Sequence, residues 1–299
     1  MKLKDILNYI TPISIDFTNE VDEVGFKSID DDSFDFNSIA WCSDKNLDIL
    51  LKLNTGTVIL SKIAADFCVK NSIFNFNKIV VDHPRKAFAS ILNHFIVKKD
   101  KYSFISPSAY ISDSTRFKID HVNIGHNVVI EDNVQLGDKV LIGANTVIKE
   151  GTIIKSNVKI GCNCTIGGVG FGYEQNEEGE YELIPHVGVV YIDDNVEIGN
   201  NVCIDRAVLG FTKLSKNVKV DNLVHIAHGV QVGENSLVIA NAMVAGSVKI
   251  GKNVWVAPSS SIRQKLTIDD DSTIGMGSVV VKNVGKNDIV AGVPAKKIN

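Results

Sequence analysis

The chain has 299 residues, 44% hydrophobic and 22% charged, which is enough apolar material for one large or two medium domains and too much for global disorder. Its formal net charge of -4 and sequence pI of about 6.0 supply no basic field for displacing counterions, which argues against a nucleic-acid binder. No stretch approaches the roughly 20 apolar residues needed to span a bilayer.

The chain opens MKLKDILNYITPISIDF, with Asp5 in the first turn and no apolar stretch long enough for a signal sequence, so a soluble cytoplasmic protein is expected. Residues 1 to about 100 alternate short apolar runs (SIAWC, GTVILS, KIVVD) with helix-like segments such as HPRKAFASILNHFI, which predicts a small α/β domain. No glycine-rich phosphate loop occurs there, so a nucleotidyltransferase is not indicated.

From about Ile105 to Gly292 the pattern changes. An aliphatic residue followed by Gly recurs at Ile124, Leu136, Ile142, Ile160, Ile166, Ile198, Val232, Ile250 and Ile274, at multiples of six within each uninterrupted stretch. One aliphatic per hexad is too sparse for an amphipathic helix but fits a short strand and a turn, repeated. Three hexads make a triangular coil of roughly 18 residues, each giving one inward aliphatic to a continuous core. Spacing alone predicts a solenoid over residues 101–299, without its hand.

Two breaks interrupt the period. GVGFGYEQNEEGEYELIPHVG, residues 168–188, is charged and aromatic and reads as an excursion loop; Leu209 to Ser215 reads as a second bulge. Insertions in solenoids gather on the binding face. The five cysteines are scattered and odd in number, and Cys162 and Cys164 form a C-x-C with no second cluster, so they read as small buried hydrophobes in a reducing compartment.

The hexads carry the signature of left-handed parallel β-helix acyltransferases. GVGFGYE, Pro185-His186-Val187-Gly188, NVEIGNNVCIDRAVL, KVDNLVHIAHGVQVG and MVAGSVKIG together resemble the UDP-3-O-acyl-glucosamine N-acyltransferases of lipid A biosynthesis. The resemblance implies a mainly β, left-handed β-helix behind the small domain, a homotrimer with sites between subunits, and no permanently bound cofactor or metal. It implies His228 as general base, Asp221 orienting it, and the Gly246 N–H donating to the oxyanion. It further implies substrate contacts from His225, Asn222, Phe171 and Tyr173, the aromatics covering the pantetheine arm or acyl chain.

That chemistry suits those residue types. An amine must lose a proton to attack a thioester, a histidine titrating near neutrality can take it, and a carboxylate on the far ring nitrogen would fix the tautomer.

The chain departs from the family at His225, where Gln is usual, at Gly229, where Asn follows the histidine, and at Ser43 and Asn46, which fall where an Asn and a Tyr hold the uracil. Its last residues, IVAGVPAKKIN, resemble those of acyl-CoA-dependent sugar acyltransferases. The expectation is therefore transfer from a short acyl-CoA to a dTDP- or UDP-linked amino sugar for surface polysaccharide, with transfer from acyl carrier protein for lipid A as the alternative. Two other classes are weighed: a zinc hydratase using His121 and His126, which lacks a third histidine on the preceding coil because His83 and His94 lie in the other domain, and a non-catalytic binding solenoid.

Overall fold

The computed structural model describes residues 1–97 and 103–298. The chain divides into two compact units, Met1–Asp100 and Lys101–Asn299, and the expected boundary at residue 100 lies outside the described residues.

The first unit is a five-stranded sheet in the order Ser14–Asp16, Asn77–Val80, Thr57–Leu60, Ser38–Trp41, Gly25–Phe26. All neighbours run parallel except Ser14–Asp16, which is antiparallel to Asn77–Val80. The central strands are buried throughout, hence the continuous apolar runs in their sequence. Helices Leu3–Tyr9, Lys62–Lys70 and Pro84–Phe95 complete the unit. Lys62–Lys70 begins at Ser61, whose Oγ accepts the Ala64 N–H at 3.1 Å, and Pro84 opens the last helix, where its missing N–H costs nothing.

The second unit is a parallel β-helix of three sheets, with seven, eleven and nine strands. Its strands are mostly two residues long, and most hexads bury two residues rather than the one expected: the strand aliphatic and a second residue two positions before it at the turn, as with Val128 and Ile130 or Val158 and Ile160. Ile124, Ile142, Ile160, Ile198, Val220, Val238, Val256 and Ile274 stack in register down one face, all buried. The corners turn through the left-handed region, with Asn127, Asn145, Asn163, Asn201, Asn235 and Asn253 at φ between 54 and 60°. Asn tolerates that conformation, and its amides form ladders up the corner, as in Asn127 to Asn145 to Asn163 at 3.2 Å each.

The excursion leaves the solenoid after strand Thr165–Gly168, forms an antiparallel hairpin of Tyr173–Gln175 and Tyr181–Leu183, and rejoins at Val189–Ile192. The second irregularity is shorter than expected: Phe211–Leu214 is a regular strand paired with Val189–Ile192, which leaves only the stretch 206–210 outside the ladder. Among the described residues, no helix is long and apolar enough to cross a membrane.

Candidate active site

Strand alternation sets the site. In His225–Ile226 the isoleucine points into the core and the histidine points out. The chain then turns a corner through Ala227, His228 and Gly229, with Gly229 at φ +70°. Asn fills this kind of corner elsewhere, so the departure to Gly229 keeps the backbone conformation, and its N–H donates to the buried Thr212 Oγ1 at 2.8 Å.

One coil further on, Gly246 lies against the tip of the His228 ring. A Cβ there would stand 2.6 Å from Nε2 and 2.7 Å from Cε1, so glycine is what gives the imidazole its place. Ala245 and Ser247 donate their N–H groups to the Ile262 and His228 carbonyls, whereas the Gly246 N–H has no acceptor among the described residues. Burial and the neighbouring His186 push the His228 pKa below the ordinary histidine value, so the ring is neutral, and able to accept a proton, at pH 7.

His186, from the end of the excursion, packs edge-to-face on His228 at 5.1 Å between centroids. Its Nδ1 donates to the Ile184 carbonyl at 2.7 Å, and its buried Nε2 has no hydrogen-bond partner among the described residues. Gly170 roofs both rings: a Cβ there would stand 2.7 Å from His186 Nε2 and 2.8 Å from His228 Cβ. The excursion is pinned where it leaves by Arg206, which donates to the Gly167 carbonyl at 2.8 Å and to the Glu150 carbonyl of the preceding coil at 3.0 Å.

A cavity of about 380 Å³ opens on this corner, lined by Asp205, His225, His228, Gly246 and Lys265, with Phe171 at its lip. Asp205 stands 3.6 Å from His225 Nε2. Burial raises its carboxyl pKa, an effect that His225 and His186 oppose.

Within the chain, two of the expected residues lie away from this corner. Asp221 is at the other end of the face from His228, and its carboxylate accepts the Asn222 N–H and amide at 2.7 and 3.0 Å and the Ala240 N–H at 3.2 Å. Asn222 is not in the cavity either, because its amide oxygen accepts the Asn200 N–H and side-chain amide at 2.7 and 3.0 Å, tying one coil to the next. A seven-residue separation spans one strand and places two residues at different corners.

His225 and Phe171 do line the cavity, and Phe171 is 88% exposed. Tyr173 does not line it but packs on Phe171 at 4.9 Å between ring centroids. Asp205 and His186 were not singled out from the sequence. The signal for Asp205 lay in the register: Cys203 pairs with His225 and Ile204 with Ile226, which places Asp205 opposite Ala227.

His121 and His126 are engaged elsewhere, beside Asp138 at 2.9 Å and with Ser106 Oγ at 2.7 Å. Among the described residues, no group of three or more His, Cys, Asp or Glu is placed to hold a metal ion.

Comparison with known proteins agrees with this architecture. Residues 133–168 match the family model described as bacterial transferase hexapeptide (six repeats). A UDP-3-O-acylglucosamine N-acyltransferase of Campylobacter lari is 37% identical over 98% of this chain and 93% of its own length, and one of Helicobacter pylori is 37% identical over 85% and 77%. The crystal structure of Francisella novicida UDP-N-acetylglucosamine acyltransferase superposes with a TM-score of 0.60 at 21% identity, covering 66% of this chain and 70% of that one, which places the solenoid among the left-handed β-helices.

Proposed function

The chain belongs to the UDP-3-O-acylglucosamine N-acyltransferase family, and from that premise we propose that it moves an acyl group from a thioester to the free amine of a UDP-linked, 3-O-acylated glucosamine, with His228 as general base. The observation that carries the reading is the corner itself: a histidine held neutral, its Nε2 against the backbone of Gly246, whose N–H is free to donate.

The chemistry follows from that arrangement. The amine arrives as an ammonium and gives one proton to solvent. Its nitrogen then attacks the thioester carbonyl carbon, a C–N bond forms, and the carbonyl oxygen becomes an oxyanion that the Gly246 N–H stabilises; one such donor is worth roughly 3 kcal/mol. His228 Nε2 takes the second proton from the new C–N nitrogen. As the C–S bond breaks, that proton passes to the leaving sulfur, which departs as a thiol. Phe171 at the lip covers the acyl chain or pantetheine arm. A homotrimer whose neighbouring subunit closes the cavity belongs to the same reading, supported by an aromatic left 88% exposed beside the site.

The first unit is the nucleotide-contacting part of this proposal. Trp41 lines two cavities there, of about 470 and 860 Å³; Ser43 lines both, Asn46 the first, and Lys45, His83, Arg85 and Lys86 the second. Asp44 and Asp82 line the second as well, so what supports a base and its diphosphate there is the aromatic Trp41 together with Lys45, Arg85 and Lys86. Trp41 thus offers the stacking surface that Asn46, in place of Tyr, cannot.

A second reading, short acyl-CoA as donor and a dTDP-linked amino sugar as acceptor, is favoured by the residues at Ser43, Asn46 and His225. The test offers 3-hydroxyacyl thioesters of acyl carrier protein and short acyl-CoAs against UDP-3-O-acylglucosamine and dTDP-amino sugars, with mass spectrometry of the amide product. Amide from UDP-3-O-acylglucosamine is expected. Turnover confined to dTDP-amino sugars and acyl-CoA would transfer the assignment to the second reading, and no turnover in any combination would reject both.

A further inference from the structure

Asp205 has no role in the account above, yet it lines the same cavity as His228 with a side chain only 13% exposed. Its carboxylate accepts no hydrogen bond from any described residue. The adjacent Arg206 makes no ion pair with it among the described residues, its guanidinium being turned to the Gly167 and Glu150 carbonyls. The nearest cationic candidate is His225, at 3.6 Å, beyond a good hydrogen bond. A carboxylate half-withdrawn from water and left without donors is costly unless a ligand supplies them.

Its place in the solenoid says what that ligand group is. The register of Cys203 on His225 and Ile204 on Ile226 sets Asp205 opposite Ala227, one residue from His228 and one coil away, where coils stack at roughly 4.8 Å. Both side chains line the one cavity, so an amine bound there is presented to both. We propose that Asp205 anchors the amino group of the acceptor sugar, accepting an N–H hydrogen bond from it and so making the site selective for an amine over a hydroxyl.

This rests on the N-acyltransfer reading and sharpens it. The carboxylate holds the ammonium on arrival. It keeps an N–H hydrogen bond when the first proton has left, and faces the nitrogen again as attack on the carbonyl makes it cationic, before His228 removes the second proton. A hydroxyl in the same place offers one donor and no positive charge on arrival. Hydrogen bonds to charged groups distinguish partners by roughly 10- to 100-fold.

The experiment measures binding of UDP-glucosamine and UDP-glucose, which differ only in the amine or hydroxyl at one carbon, to the full chain by calorimetry at pH 7. The unmodified protein should prefer UDP-glucosamine at least tenfold, and Asp205→Asn should bring the two affinities within about threefold by weakening the amine alone. Unchanged UDP-glucose affinity in that variant reports that the fold is intact. His228→Ala should keep the preference while losing product, which separates this anchor from the general base. No preference in the unmodified protein, including the case in which neither compound binds, overturns the proposal without any variant. So does a preference that survives Asp205→Asn.

Discussion

Gly246→Ala puts one methyl group where the His228 ring now rests. The new Cβ would lie 2.6 Å from Nε2, against an ordinary contact of about 3.5 Å, so the ring must retreat by about 0.9 Å. It can do so at little cost to the fold, because the ring borders an open cavity and Gly246 lies outside the left-handed region, where alanine is unstrained. Replacing glycine at such a position even stabilises by about 0.4–1 kcal/mol through the unfolded chain. Catalysis has no such freedom, since a misplacement near 1 Å can cost about 100-fold. The variant should therefore melt at or slightly above the unmodified temperature and turn over about 100-fold more slowly in a thiol-release assay. A variant that keeps more than a tenth of the rate would refute the claim that Gly246 fixes the position of His228.

Two further outcomes follow from the same corner. Because burial and His186 depress the His228 pKa, and the neutral ring is the active form, the enzyme's own ionisation in the kcat/KM profile, once the titration of the free acceptor amine is divided out, should have a midpoint below 6.5; an enzyme midpoint above 6.5 contradicts that environment. Asp221→Ala should cost roughly 1–2 kcal/mol in denaturant unfolding, because its carboxylate fastens Asn222 and the Ala240 N–H, and leave the kcat/KM profile in place; a shifted profile would restore it as the partner of His228.

The solenoid was legible because its repeat is a direct consequence of geometry: the strand aliphatic of each hexad fixes the strand, the coil and the register of Ile124 on Ile142 on Ile160, while the second buried position, held by Val122, Val140 and Val158, was not read. The α/β unit was legible from its continuous apolar runs, which only strands buried on both faces require. Of the proposed site, His228 and Gly246 each stand in a motif of their own, and the structure brings the two together. The site was not legible where a partner on another coil or in the excursion carries no motif of its own that assigns it a role. Asp221 looked like a partner for His228 by separation along the chain, yet a flat face lies between them, while Asp205, 23 residues before His228, sits almost beneath it. His186 stood in the motif Pro185-His186-Val187-Gly188 yet was given no role, for a related reason. Its segment follows a hairpin of charged and aromatic residues that has no period, so nothing in the sequence says that the segment folds back onto His228.

Replacing His228 tests the account most directly. A single-turnover measurement of amide formation from UDP-3-O-acylglucosamine and an acyl thioester, on the unmodified protein and on His228→Ala with its melting temperature checked, reads the chemical step alone. The account predicts a loss of 100-fold or more with the fold intact, the usual worth of a general base. A folded variant that retains more than about a tenth of the rate would contradict it.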